Sequence, residues 1–243
     1  MANKMKHISF EIFQNKNNKE INFFLKEIIK KYPKFISVTY SKTNNLNFIK
    51  NIKKCFKIKI VPHIICDNIL NIIKNIISFI KIKIFDFIII TGDDKNYNSY
   101  NFIKLVRILF GHIIRIYSGS YLEEHKITKN FKKEIFFLYK KKKIGINIFI
   151  TQFFYNFNII NYYILKIKKT NINKNFILGI FPKQNIENII NFSNKCKIEL
   201  PIWFIKNYKL INIKNYYLLN LKNYKNFHFY TFNNIYYLNN YLK

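Results

Sequence analysis

Carboxylates that could do proton chemistry are scarce in this chain: 12 acidic residues stand against 42 lysines and arginines in 243 residues. Two of them occupy a particular kind of place. Glu11 follows the strand-like run Ile8-Ser9-Phe10, and Asp93 follows the almost wholly apolar run Phe85 to Thr91, which Gly92 closes. A carboxylate at the end of a buried strand costs several kcal/mol unless it is paired or kept neutral. Glu11 and Asp93 therefore suggest a working site. Other polar residues recur at equivalent points: Thr39 and Tyr40, His63, Tyr121 with Glu123 and His125, Thr151 with Gln152, and Thr231 with Asn233. Taken singly, each could instead cap the helix that follows it, as Asp and Ser commonly do; their repetition points to one rim. No GxGxxG fingerprint and no GxxxxGK[ST] loop is present, so nucleotide phosphates would need loop amides and lysines. Lys140 to Lys143 form a basic run that reads equally well as a solvated helix end favoured by the macrodipole.

The elements that must position these residues alternate. Strand-like runs are His7 to Phe13, Phe35 to Tyr40, Ile60 to Cys66, Phe85 to Thr91, Ile113 to Tyr117, Ile146 to Thr151, Phe176 to Ile180 and Phe227 to Tyr230. Helical patterns cover Asn18 to Lys31, Asn45 to Cys55, Asn68 to Ile80, Asn98 to Phe110, Thr128 to Lys142, Phe157 to Lys168, Ile186 to Cys196 and Asn234 to Leu242. In the third helix Ile69, Ile72, Ile73, Ile76 and Ile77 follow the i, i+3, i+4 spacing of one face. Strands alternating with helices imply parallel pairing. Eight such units predict a single α/β domain over 1–243, a closed (β/α)8 TIM-type barrel with its chemistry where strands end. An open doubly wound sheet is the alternative, and Pro201 to Lys225 reads as an irregular insertion before the last strand.

Composition sets the class. Hydrophobic residues make up 49% of the chain, enough for a sizeable core. The formal charge of +30 and 19% aromatics would fit a basic RNA-binding protein. The lysines, however, are spread through every segment, no nucleic-acid motif is present, and the enriched Ile, Asn, Lys, Phe and Tyr share A/T-rich codons, with Ala confined to Ala2. Nucleotide bias accounts for the charge without a nucleic-acid ligand. Cys55, Cys66 and Cys196 are scattered and form no CxxC pair, which predicts neither disulfide nor zinc and suits a reducing cytoplasm. No signal-peptide core opens the chain, and Asp67, Lys74, Lys81, Lys83 and Asp86 interrupt the apolar stretch from Ile64 to Ile90, so a span of about 18 uncharged residues is lacking and no membrane partner is expected.

Read in order, ISFEIF (Ile8 to Phe13), KFISVTY (Lys34 to Tyr40), VPHIIC (Val61 to Cys66), TGD (Thr91 to Asp93), SYLEEH (Ser120 to His125), ITQFFY (Ile150 to Tyr155), LGIFPKQN (Leu178 to Asn185), LPIWF (Leu200 to Phe204) and NFHFYTFN (Asn226 to Asn233) form a pattern. It resembles that of the bacterial-type 5,10-methylenetetrahydrofolate reductases, whose corresponding motifs include VSFEFF, PHLTC, RGD, AYPEVH, ITQFFF, PGILPVSN and DFHFYTLN. The resemblance implies a cytoplasmic, FAD-dependent oxidoreductase. NADH or NADPH reduces the flavin and leaves, and the folate then takes the hydride in a ping-pong cycle that supplies 5-methyltetrahydrofolate for methionine synthesis. By the same resemblance Glu11 is the general acid that helps open the folate ring. It must then hold its proton near neutral pH, and burial should raise its pKa. Asp93 resembles the aspartate beside flavin and pterin, and Gln152 the glutamine that contacts pterin and nicotinamide. Tyr40, His63, Gly92, Tyr121, His125 and Lys141 match FAD-contact positions, Thr39 a nicotinamide-side position, and either Tyr97 or Tyr100 a further FAD contact.

The pattern also departs from the family. Gln14-Asn15 replace a proline pair, Thr91 an arginine before Gly-Asp, Asn234 a folate-contacting arginine, and Ile186 an aromatic. Glu134 and Phe137 stand where FAD-site Asp and Asn are found. Family members commonly form homo-oligomers. A degenerate, inactive barrel is a further reading, which the retained Glu11, Asp93 and Gln152 oppose.

Overall fold

A computed structural model of the chain describes residues 7–14, 18–39, 45–92, 99–123, 130–168, 172, 175–183, 185–221 and 223–242. Eight strands lie in it: β1 (His7–Ile12), β2 (Phe35–Val38), β3 (Ile60–Ile65), β4 (Asp86–Ile90), β5 (Arg115–Ser120), β6 (Ile148–Thr151), β7 (Phe176–Ile180) and β8 (Asn226–Tyr230). The helices are α1 (Asn18–Ile29), α2 (Asn45–Cys55), α3 (Ile69–Lys81), α4 (Ser99–Phe110), α5 (Phe131–Lys143), α6 (Phe157–Lys168), α7 (Ile186–Cys196), α8 (Ile202–Lys206), α9 (Ile213–Asn220) and α10 (Ile235–Leu242). Each strand pairs in parallel with the next in sequence, and β1 pairs with β8, so the sheet closes into a barrel. The register Glu11↔Tyr230 at that seam removes the open-sheet alternative.

Strand periodicity divides the side chains between two cores. One set, including Phe10, Ile36, Phe87, Ile116, Phe149, Leu178 and Phe229, is buried against the surrounding helices. α3 shows the complement: Ile72, Ile76 and Phe79 are its buried face, and the Asn68 side chain caps it by accepting from the Leu70 amide. The alternate set points into the barrel, where Phe35, Val61, Ile88, Tyr117 and Ile150 from five successive strands pack together. At the amino-terminal mouth, Lys59 Nζ sits 2.6 Å from Asp86 Oδ1, and the Tyr117 hydroxyl donates to the same carboxylate at 3.2 Å.

Two sequence expectations change. The fifth strand runs over Arg115–Ser120 rather than Ile113 to Tyr117, and Ile113 is exposed. Ser118, Gly119 and Ser120 read as loop residues because they have low strand propensity. Pairing overrides that preference: Ser118 pairs on both sides, with Ile89 and Phe149, and Gly119 and Ser120 pair with Ile150 and Thr151 of β6. The segment 201–225 is not irregular: it carries α8 and α9. Fully buried Phe204 and Tyr217 seal it onto the loop after β6, where the Tyr217 hydroxyl donates to Phe154 O at 2.5 Å and the Tyr216 hydroxyl to Tyr155 O at 2.7 Å.

Candidate active site

Glu11 lies near the carboxyl end of β1. It shares its face with Ser9, whose hydroxyl meets His228 inside the barrel. Only Ile12 follows Glu11 in the strand, so its side chain enters the barrel close to the carboxyl-terminal mouth. His63, two residues beyond the barrel-filling Val61 in β3, does the same. The fold brings them together, with His63 Nε2 at 3.6 Å from Glu11 Oε2. Both side chains are buried. Removal from water disfavours the charged form of each. Burial pushes the Glu11 carboxyl up to about 8 and the His63 imidazole down to about 4. Near neutral pH the pair is therefore a protonated carboxyl facing a neutral imidazole, not an ion pair.

Beneath this pair is a residue that the sequence reading gave no role. His228 of β8 is fully buried, stacks on Phe35 at 5.7 Å, and places Nδ1 at 2.8 Å from Ser9 Oγ. Its Nε2 lies 3.4 Å from Ser37 Oγ. Burial, with His63 nearby, lowers its pKa to about 3. Within the motif NFHFYTFN nothing local marks His228; only closure of β8 against β1 makes it a barrel-interior group. Tyr230, two residues on, likewise has no local mark in the sequence. Its hydroxyl donates to Thr151 O at 2.7 Å, its ring edge meets His228, and burial, with Glu11 nearby, raises its pKa.

The remaining residues singled out from sequence fall into three groups. Thr39, Gly92, Tyr121 and Gln152 stand just past the ends of β2, β4, β5 and β6, around the same mouth as Glu11 and His63. Thr39 donates to Ile12 O through both its amide (3.0 Å) and its hydroxyl (3.2 Å), and the Gln152 amide donates to Ser120 O at 2.9 Å. Lys141 is placed differently. Its ammonium donates to Ser118 Oγ at 3.1 Å, on the face of β5 that looks toward the helices, away from Glu11. Burial lowers its pKa, with the buried Glu134 opposing that shift. Tyr40, Asp93 and His125 lie outside the described residues, as does Tyr97.

Two features of the described mouth leave room for a bound group. Gly92 adopts φ +80, and a Cβ there would lie 2.5 Å from Ile65 Cγ2, so the rim at β4 presents bare backbone. His63 Nε2 is buried without a hydrogen-bond partner, leaving one ring nitrogen for a bound group. Among the described residues no cluster of His, Cys, Asp or Glu could hold a metal ion.

Known proteins agree with this frame. The chain is 28% identical over 214 residues to the 5,10-methylenetetrahydrofolate reductase of Buchnera aphidicola subsp. Baizongia pistaciae, covering 81% of this chain and 72% of that protein. It is 28% identical to the reductase of the same name from the Schizaphis graminum subspecies, covering 82% and 73%. Among solved structures, Yersinia pestis dihydropteroate synthase superimposes with a TM-score of 0.54 at 7% identity, over 94% of this chain and 87% of that one, a likeness of fold alone. The sequence profile described as methylenetetrahydrofolate reductase matches residues 1–218. With nine-tenths of the chain under that profile and a closed barrel beneath it, the protein belongs to the methylenetetrahydrofolate reductase family.

Proposed function

We propose that this protein reduces 5,10-methylenetetrahydrofolate to 5-methyltetrahydrofolate with NADH or NADPH, through FAD in a ping-pong cycle, and so supplies methyl groups for methionine synthesis in the cytoplasm. Family membership supports the reaction class. The observation that carries the chemistry is Glu11, buried at the barrel mouth and held protonated with a pKa of about 8.

FAD, when bound, would supply hydride transfer from the reduced nicotinamide to the substrate's methylene carbon. Gly92 and His63, with Tyr121 beside them on the rim, would hold it, and by family resemblance so would Tyr40, Asp93, His125 and Lys141. Glu11 supplies the proton. Protonation of N10 breaks its bond to the methylene carbon and leaves a reactive iminium on N5, which the hydride then reduces. Glu11 is left as a buried carboxylate, a state that loss of hydration disfavours, so it regains a proton from solvent before the next turnover. The balance is one hydride and one proton consumed per methylene group. By family resemblance, Thr39 and Gln152 would orient nicotinamide and pterin from the ends of β2 and β6. Among the described residues no helix is long and apolar enough to cross a membrane.

The test is purification followed by spectroscopy. The protein should carry a flavin absorbance, bleach when reduced nicotinamide is added without oxygen, and regain its colour with methylenetetrahydrofolate. Folded protein that binds no FAD at micromolar concentration would refute the reading.

A further inference from the structure

Glu11 occupies the last position at which β1 pairs with β8, opposite Tyr230. Beyond it the strand partner on that side ends, and the backbone groups of β1 need other partners. The turn after β8 supplies them. The Thr231 hydroxyl donates to the Glu11 carbonyl at 2.5 Å. The Asn233 side chain brackets Phe13: its Oδ1 accepts from the Phe13 amide at 3.0 Å and its Nδ2 donates to the Phe13 carbonyl at 2.8 Å. The Asn233 amide donates in turn to Thr231 Oγ1 at 3.2 Å, joining the two supports. Two side chains thus continue the ladder where the strand stops.

The turn that delivers them is unusual. Phe232 and Asn233 both adopt left-handed conformations, with φ of 50° and 56°. Asn tolerates that region; Phe does not, and it persists where surrounding packing over-determines it. Here Phe232 stacks on Phe13 at 5.2 Å and packs edge-on to Phe192 at 4.9 Å. Phe13 is thus held by its ring and by both its backbone groups.

We infer that Asn233 and Thr231 are positioning residues for the proton-transfer step, acting through the backbone of Glu11 and Phe13 to fix the carboxyl in the mouth. The inference rests on the role proposed for Glu11. It predicts that loosening the bracket lets Glu11 move and meet water without disturbing the rest of the barrel.

Two variants test it. Asn233→Gly removes both side-chain bonds yet keeps the left-handed backbone free of strain, and Thr231→Val removes the hydroxyl at nearly constant volume. In each, folate-driven reoxidation of the flavin should slow about tenfold, whereas reduction by nicotinamide stays within about twofold. A readout without cofactor accompanies this. Amide exchange at Phe13 should quicken in Asn233→Gly. The infrared carboxyl band assigned by difference from Glu11→Gln should titrate lower than in the parent. Asn233→Asp, which keeps the acceptor for the Phe13 amide, should fall between the two and serves if the glycine variant folds poorly. Equal slowing of both half-reactions, or an unchanged carboxyl titration with faster Phe13 exchange, would overturn the inference. If Glu11→Gln itself leaves reoxidation intact, the reading of Glu11 fails instead, and the two failures are told apart.

Discussion

His63 Nε2 and Glu11 Oε2 approach to 3.6 Å from strands β3 and β1, which are not neighbours in the barrel. Burial acts on the pair in opposite directions, keeping the acid protonated and the base neutral. Direct ionisation of the pair would place two charges in a buried mouth, where attraction must repay the loss of hydration of both. The arrangement therefore stores a proton on Glu11 at neutral pH, which is what a general acid requires.

Glu11→Gln should separate the two half-reactions. Reduction of flavin by nicotinamide needs no proton from this residue and should stay within roughly tenfold of the parent, about 1.4 kcal/mol of barrier. Reoxidation by methylenetetrahydrofolate should fall by about a hundredfold or more, the usual size of a general-acid contribution. Stopped-flow absorbance follows each half, and equal slowing of both would assign Glu11 to holding the cofactor instead.

The same residue sets an alkaline slope in stability. Below the unfolded value of 4.5, both states carry the proton, and Glu11 adds no pH dependence. As pH rises from 4.5 to about 8, the unfolded chain releases the proton while the folded one retains it, so stability is lost across that window. Glu11→Gln lacks this slope and should gain stability over the parent between pH 5 and pH 8, on the order of 2–5 kcal/mol. Urea unfolding at both pH values measures it; parallel curves would contradict the burial of an ionisable Glu11.

The acid side belongs to the histidines. His63 and His228 have pKa values lowered from 6.5 to about 4 and about 3. Their contribution is present above 6.5 and is lost as pH falls through the folded values, because the unfolded chain takes up protons first. His228→Asn removes one of these groups while leaving amide atoms for Ser9 and Ser37. Its acid-unfolding curve between pH 6.5 and 4 should be shallower than the parent's. An equally steep curve would place the acid sensitivity elsewhere.

Gly179 is required by a close approach. A Cβ there would lie 2.3 Å from Thr151 O and 2.7 Å from Tyr230 Cε2, and neither neighbour is free to move, since the Tyr230 hydroxyl bonds that same carbonyl. Gly179→Ala should destabilise the barrel by about 2–4 kcal/mol, the scale of a core overpacking without relief. Gly119→Ala, with nothing within 4 Å, should change stability by no more than about 0.5 kcal/mol. Thermal unfolding of the two variants side by side checks the contrast, and similar melting temperatures would count against it.

Much of this molecule was legible in one dimension. The bounds of α2, α6, α7 and β7 match their sequence patterns residue for residue, because apolar periodicity is written within about ten residues and needs no distant partner. Glu11 and His63 were both singled out, the first from its place after Ile8-Ser9-Phe10, the second from its place in the third strand. Their contact was not legible, since it depends on how strands 1 and 3 tilt across a closed barrel. Tertiary structure also decided the features with the weakest local signal. Ser118 became strand through pairing on both sides, Gly119 and Ser120 through pairing with β6, and Ile202–Lys206 and Ile213–Asn220 became helices sealed down by Phe204, Tyr216 and Tyr217. The Lys141 ammonium found Ser118 Oγ as its partner, which its number in the chain could not reveal. His228 and Asn233 acquired partners only when β8 met β1, joining residues about 220 positions apart. A local sequence pattern fixes which face of an element is apolar; closure of the sheet decides which polar groups on the other face meet.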